Sequence, residues 1–131
     1  MPSDKMIKQF RPVELSAKMV QSWSDAPEAR YAAGIQFSTA EEDNNALLIK
    51  INVSFIEYFS KKDIDSSKEP TVTVECIYLV EQTNPDTDKS ELVSDFWPFI
   101  RCGILVQTNL LGKDFSRWLP ISIDAESIQK N

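Results

Sequence analysis

A chain of 131 residues is enough for one domain with its own core and short for two. Hydrophobic residues make up 42% and charged residues 26%, a globular composition. The net charge of −6 excludes the basic footprint that a nucleic-acid surface needs and permits docking to a basic partner. With no histidine there is no histidine general base or ligand, and two cysteines alone cannot complete a zinc site. Three glycines rule out phosphate-cradling and dinucleotide fingerprints. No apolar signal core follows Met1-Pro2-Ser3-Asp4-Lys5 and no run approaches a membrane span, so a cytoplasmic protein without membrane insertion is expected.

The first half of the chain alternates with a period of two. Val13, Leu15, Ala17 and Met19 mark a strand within Pro12–Val20. Tyr31, Ala33, Ile35 and Phe37 mark a second within Arg30–Thr39. Leu47, Ile49, Ile51, Val53, Phe55 and Phe59 form one stripe of a third within Ala46–Ser60. Val72, Val74, Cys76, Tyr78 and Val80 do so in a fourth within Pro70–Gln82. Such alternation marks strands with one buried face. Polar punctuation at Ser24–Glu28, Glu41–Asn45, Lys61–Glu69 and Thr83–Lys89 is short, which predicts an antiparallel meander.

From Ser90 to Leu111 the period changes to about 3.6, with Leu92, Phe96, Phe99, Ile100, Gly103, Ile104 and Leu111 near one face. Pro98 requires either a helix start or a kink there, and Gly112 suits the position after a helix end. Ile121–Asp124 reads as extended, and Asp124 as the cap of a short helix through Lys130. The expected fold is α+β: a single domain over residues 1–131, with a four-stranded antiparallel meander sheet and one long and one short C-terminal helix on one face.

Several motifs dissolve on inspection. Asp63-x-Asp65-x-Ser67 opens like a calcium loop, but Lys68 and Val74 stand where glycine and a bidentate glutamate are needed. Asp86-x-Asp88-x-Ser90 fails likewise, with Glu91 and Trp97. Asn52-Val53-Ser54, a glycosylation triplet, falls inside a strand. Glu41, Glu42 and Asp43 read as a solvated hairpin, because nothing apolar lies nearby to shift a carboxyl pKa. Cys76 and Cys102 read as reduced, structural thiols. No metal or other cofactor is expected, and an enzyme is disfavoured.

Of 13 aromatic residues, Phe37, Phe55 and Phe99 fit a sheet–helix core. Phe96-Trp97-Pro98-Phe99 cannot all point inward, since consecutive helical residues diverge by about 100°. Trp118, beside Arg117 in a loop, is a further surplus ring. Surplus rings mark an oligomer interface or an apolar groove, and the pattern does not choose between them.

The segment Phe96–Ile104, then Gly112, then Leu119-Pro120-Ile121-Ser122-Ile123-Asp124-Ala125, resembles the C-terminal half of the SecB export chaperone family. Pro98, Arg101, Gly112, Asp124 and Ala125 carry the match. The resemblance implies an ATP-independent holdase, a homo-oligomer (dimer or tetramer), that binds unfolded polypeptide clients in aromatic-lined grooves. Groove candidates are Phe55, Tyr58, Phe59, Phe96, Trp97 and Trp118. It also implies delivery to the SecA motor through acidic residues on the sheet, for which Glu14 and Glu75 are nearest. The family's second acid of the first strand falls on Lys18, a charge reversal. The ending soon after Ile128 implies a second helix shorter than the family's and no acidic tail. Within the same superfamily, a chaperone of a toxin–antitoxin system and a structural interaction subunit are the alternative roles.

Overall fold

The computed structural model describes residues 7–42, 46–60, 69–82, 88–123 and 129–130. Strands β1 (Ile7–Met19), β2 (Arg30–Glu41), β3 (Ala46–Tyr58) and β4 (Val72–Gln82) precede helices α1 (Lys89–Asp95) and α2 (Trp97–Leu110) and a two-residue strand β5 (Gln129–Lys130). The expected four-stranded antiparallel sheet and two helices are present. The long strands bury alternate positions: Leu47, Ile49, Ile51, Val53 and Phe55 of β3 and Val72, Val74, Cys76, Tyr78 and Val80 of β4 are sealed against the helices. The expected connections at Lys61–Glu69 and Thr83–Lys89 and the expected cap at Asp124 lie largely or wholly outside the described residues.

Three details depart from expectation. The sheet order is β1-β4-β3-β2-β5, so β2, β3 and β4 form a meander but β1 pairs antiparallel with β4. Residues 20–29 make this possible. Three strand spacings of about 4.8 Å separate the edges, and ten extended residues reach about 33 Å. The crossing is fastened on its way: Val20 N–H donates to the Thr71 carbonyl at 2.8 Å and Ser24 N–H to the Glu57 carboxylate at 2.7 Å. The result is a Greek-key arrangement.

Second, β1 carries a bulge where Pro12 faces Tyr78 but Glu14 faces Ile77. The extra residue, Val13, reverses the parity of the strand. Phe10 before it and Leu15 and Ala17 after it face the core, while Val13 itself is exposed. Third, Gln129 and Lys130 do not continue a helix. They pair in parallel with Gln36 and Phe37 at the edge of β2.

The expected single helical run is two helices. Asp88, from one of the failed calcium patterns, caps α1 by accepting the Ser90 N–H at 2.8 Å. The chain breaks at Phe96, and Pro98 falls in the first turn of α2, where its missing N–H costs nothing. At the far end Gly112 adopts φ +103°. Its N–H donates to the Asn109 carbonyl and that of Lys113 to the Thr108 carbonyl, which closes a Schellman cap. Gly103 brings α2 close to the sheet: a Cβ there would sit 3.0 Å from the Tyr78 hydroxyl and 3.6 Å from Leu15.

Candidate functional site

Helix α2 is apolar on two opposite sides. Trp97, Ile100, Ile104 and Thr108 share the buried side. Phe99, Cys102, Val106 and Leu110 repeat the same spacing two residues further on, and all four are exposed, Phe99 by 71% and Leu110 by 76%. At 100° per residue the offset of two turns the second stripe to the far side of the helix. Phe99, expected in the core, therefore belongs to the outer stripe. A helix apolar on both sides ordinarily has cover on both.

The chain after α2 closes the other half of the sheet. Phe115 stacks on Phe55 with ring centroids 4.3 Å apart. Tyr31 meets Phe115 and Trp118 edge-on at 5.0 Å each, and Trp23 meets Phe115 at 6.5 Å. Three helical side chains hold this connection by its carbonyls. Ser94 Oγ donates to Ile123 at 2.6 Å and Trp97 Nε1 to Pro120 at 2.8 Å. Arg101 donates to Pro120 through Nε at 3.0 Å and to Ser116 through Nη2 at 2.9 Å. Spacings of three and four place all three donors on one side of the helical pair.

Two groove candidates are corrected by this packing. Phe55 and Trp97 are fully buried within the protomer. Phe55 is covered by Phe115, and the Trp97 indole can be sealed because its one donor is satisfied. The remaining four do not form one cluster. Phe96 is half-buried, stacked on Phe10 at 4.0 Å, which in turn stacks on Tyr78 at 5.0 Å. Tyr58 and Phe59 lie at the opposite end of the sheet, as the pairing of Leu47 with Val80 and of Phe55 with Val72 requires. Trp118 joins that second end through Tyr31, whose strand partner is Glu57. Tyr58 and Trp118 are half-buried and Phe59 is 50% exposed. Ile121, 80% exposed, and Val106 and Leu110 are exposed apolar side chains outside the sequence-based candidates. The second stripe of α2 was the signal that could have found the last two.

The Tyr31 hydroxyl donates to the Glu57 carboxylate at 2.7 Å, and burial first, then this bond, pushes its pKa up. Burial likewise pushes the Cys76 thiol up to about 12, so Cys76 is a protonated core residue. Glu14 and Glu75 lie on the sheet face turned away from the helices, as their parity with half-buried Leu15 and buried Cys76 dictates. Glu75 is ion-paired there with Lys50 at 3.2 Å, and Lys18 shares the face. Among the described residues no helix is long and apolar enough to cross a membrane.

No family model matches the sequence, and no curated protein matches it. Among solved structures the fold is similar to that of the SecB-like chaperone Rv1957 of Mycobacterium tuberculosis, in complex with a ChAD peptide from the HigA1 antitoxin. The TM-score is 0.52 at 12% sequence identity, over 93% of this chain and 91% of that one. The chain thus has a SecB-like fold.

Proposed function

We propose that the protein is an ATP-independent holdase that keeps non-native polypeptides from aggregating, in the cytoplasm and without a cofactor. The observation that carries this reading is apolar surface left over once the core is complete. Phe99, Val106 and Leu110 on α2, Phe59 at the aromatic end of the sheet, and Ile121 in the chain after α2 are exposed although the interior is filled. Large exposed apolar groups mark contact surfaces. The SecB-like fold and the peptide held by its structural neighbour support polypeptide as the ligand.

The two surfaces have different roles in this reading. The outer stripe of α2 is buried between copies in a homo-oligomer, dimer or tetramer. The end that carries Tyr58, Phe59 and Trp118 receives client. Antitoxin-type peptide is the client class that the neighbour favours. Delivery to SecA would use Glu14 and Glu75, and the Lys50 pair and Lys18 weaken that acidic patch, so export is the second reading.

The purified protein should suppress aggregation of a chemically denatured client, diluted into buffer without ATP, at a few-fold molar excess. Phe59→Ala with Trp118→Ala should reduce the protection while leaving the circular dichroism intact. Unchanged client aggregation at tenfold excess of the unsubstituted protein would remove the holdase reading.

A further inference from the structure

The crossover from β1 to β2 is fastened unevenly. At its start the Thr71 carbonyl accepts the N–H groups of Val20 at 2.8 Å and Gln21 at 3.3 Å, and the Gln21 carboxamide donates to the Glu69 carbonyl at 2.8 Å. At its end Arg30 enters the β2–β3 ladder opposite Tyr58. Over residues 22–29, among the described residues, one hydrogen bond ties the segment to the rest of the molecule: the Ser24 N–H donates to Glu57 Oε2 at 2.7 Å. Two further bonds stay inside the segment and give it a shape of its own. Ala26 N–H donates to Ser24 Oγ at 3.0 Å and Ala29 N–H to the Ala26 carbonyl at 3.1 Å. Ser22, Asp25, Pro27 and Glu28 are exposed. Few outside bonds and high exposure mark a part of a fold that opens before the rest.

Glu57 is set in place by its strand. It follows Phe55 on the covered face, at the end of that row, and faces Tyr31 across the β2–β3 ladder. The oxygen that takes the Ser24 N–H, Oε2, also takes the Tyr31 hydroxyl at 2.7 Å. Crossover, β2 and β3 thus meet at one carboxylate oxygen, and hydrogen bonds to an ionised acceptor are the stronger kind. The Tyr31 ring carries the tie onward to Phe115 and Trp118, each 5.0 Å away. Trp23, the residue before Ser24, is half-buried with its ring edge-on to Phe115 at 6.5 Å. The seat of the indole therefore depends on where Ser24 is held.

We propose that residues 22–29 form a strap that opens as a unit while the sheet stays paired, and that Glu57 is the positioning residue that latches it. Latched, the strap seats Trp23 against Phe115. Released, it withdraws the indole from the aromatic cluster and leaves the β2–β3 and β3–β4 ladders as they are. The latch needs an acceptor oxygen at the full reach of a glutamate side chain, because one oxygen must meet donors from two segments. The device stands apart from the holdase reading, and no client enters its test.

The test is amide exchange in the full-length protein, followed residue by residue. Glu57→Ala should speed exchange over residues 22–29 by about tenfold or more, while the amides of β3, β4 and α2 stay within about twofold. Glu57→Gln keeps an acceptor at the same reach and should recover more than about half of that change on a logarithmic scale. Glu57→Asp keeps the charge, ends one methylene short, and should recover less. Where Glu57→Ala does not fold, Ser24→Pro removes the crossover's donor, leaves the bond between Glu57 and Tyr31, and should give the same local acceleration. Unchanged exchange over residues 22–29 overturns the latch. Acceleration spread evenly over the sheet reduces Glu57 to a contributor to global stability and overturns the strap. Recovery by aspartate and not by glutamine overturns the positioning role, since charge alone would then suffice.

Discussion

Arg101 holds the chain that follows α2. Its guanidinium reaches the carbonyls of Ser116 and Pro120 from one side chain, and hydrogen bonds from a charged donor contribute about 1.5–3 kcal/mol. Arg101→Ala should therefore destabilise the fold by about 2 kcal/mol in urea melts. Arg101→Lys should recover less than about half, since an ammonium cannot make the fork. Cys76 adds a pH dependence. Burial pushes its thiol from the ordinary 9.0 up to about 12, so the unfolded chain gives up its proton first. That stability contribution is complete below pH 9 and fades as pH rises through about 12. Thermal melts should show a decline that begins near pH 9, and Cys76→Val should delay its onset to the range where Tyr31 and Tyr78, both raised from 10.0, begin to matter. Pro98 and Gly112 were legible from sequence because each has a local backbone reason. Trp97 was not, because its burial depends on a carbonyl 23 residues away.

At the scale of elements, α2 is the informative case. Its buried and exposed stripes have the same spacing, so periodicity alone assigns Phe99 to either side. The contacts of Trp97, Ile100 and Ile104 with the sheet decide it. Phe99→Ser, Val106→Ser and Leu110→Ser together remove no core contact within the protomer. Their combined variant should keep its helical circular dichroism and its melting temperature as a monomer, and elute at a smaller size than the unsubstituted protein. An unfolded variant would place those side chains in the core, and an unchanged size would free the stripe from assembly. On β1 the alternation holds for Leu15 and Ala17 and fails for Val13, which is exposed. A single bulged residue reverses parity, and no residue type announces it. Phe115 likewise carries no signal in the sequence, since a lone ring in an irregular segment has no period to reveal that it stacks on Phe55.

For the whole molecule, strand number, antiparallel pairing and the helical cover followed from patterns of two and 3.6. Strand order did not. Alternation specifies which face of a strand is buried and is silent on its neighbour, so β1, expected beside β2 in a meander, lies beside β4. The long connection at residues 20–29 was the only hint. The aromatic surface was half legible: surplus rings were recognised, but the division between sealed Phe55 and Trp97 and accessible Phe59 and Trp118 is a matter of tertiary packing. The central claim, that the leftover apolar surface serves assembly and client capture, is met most directly by the mass in solution with and without an unfolded client. A mass that is a multiple of 14.9 kDa, rising by that of the client when the client is added without nucleotide, is the predicted result. A 14.9 kDa species indifferent to the client would contradict it.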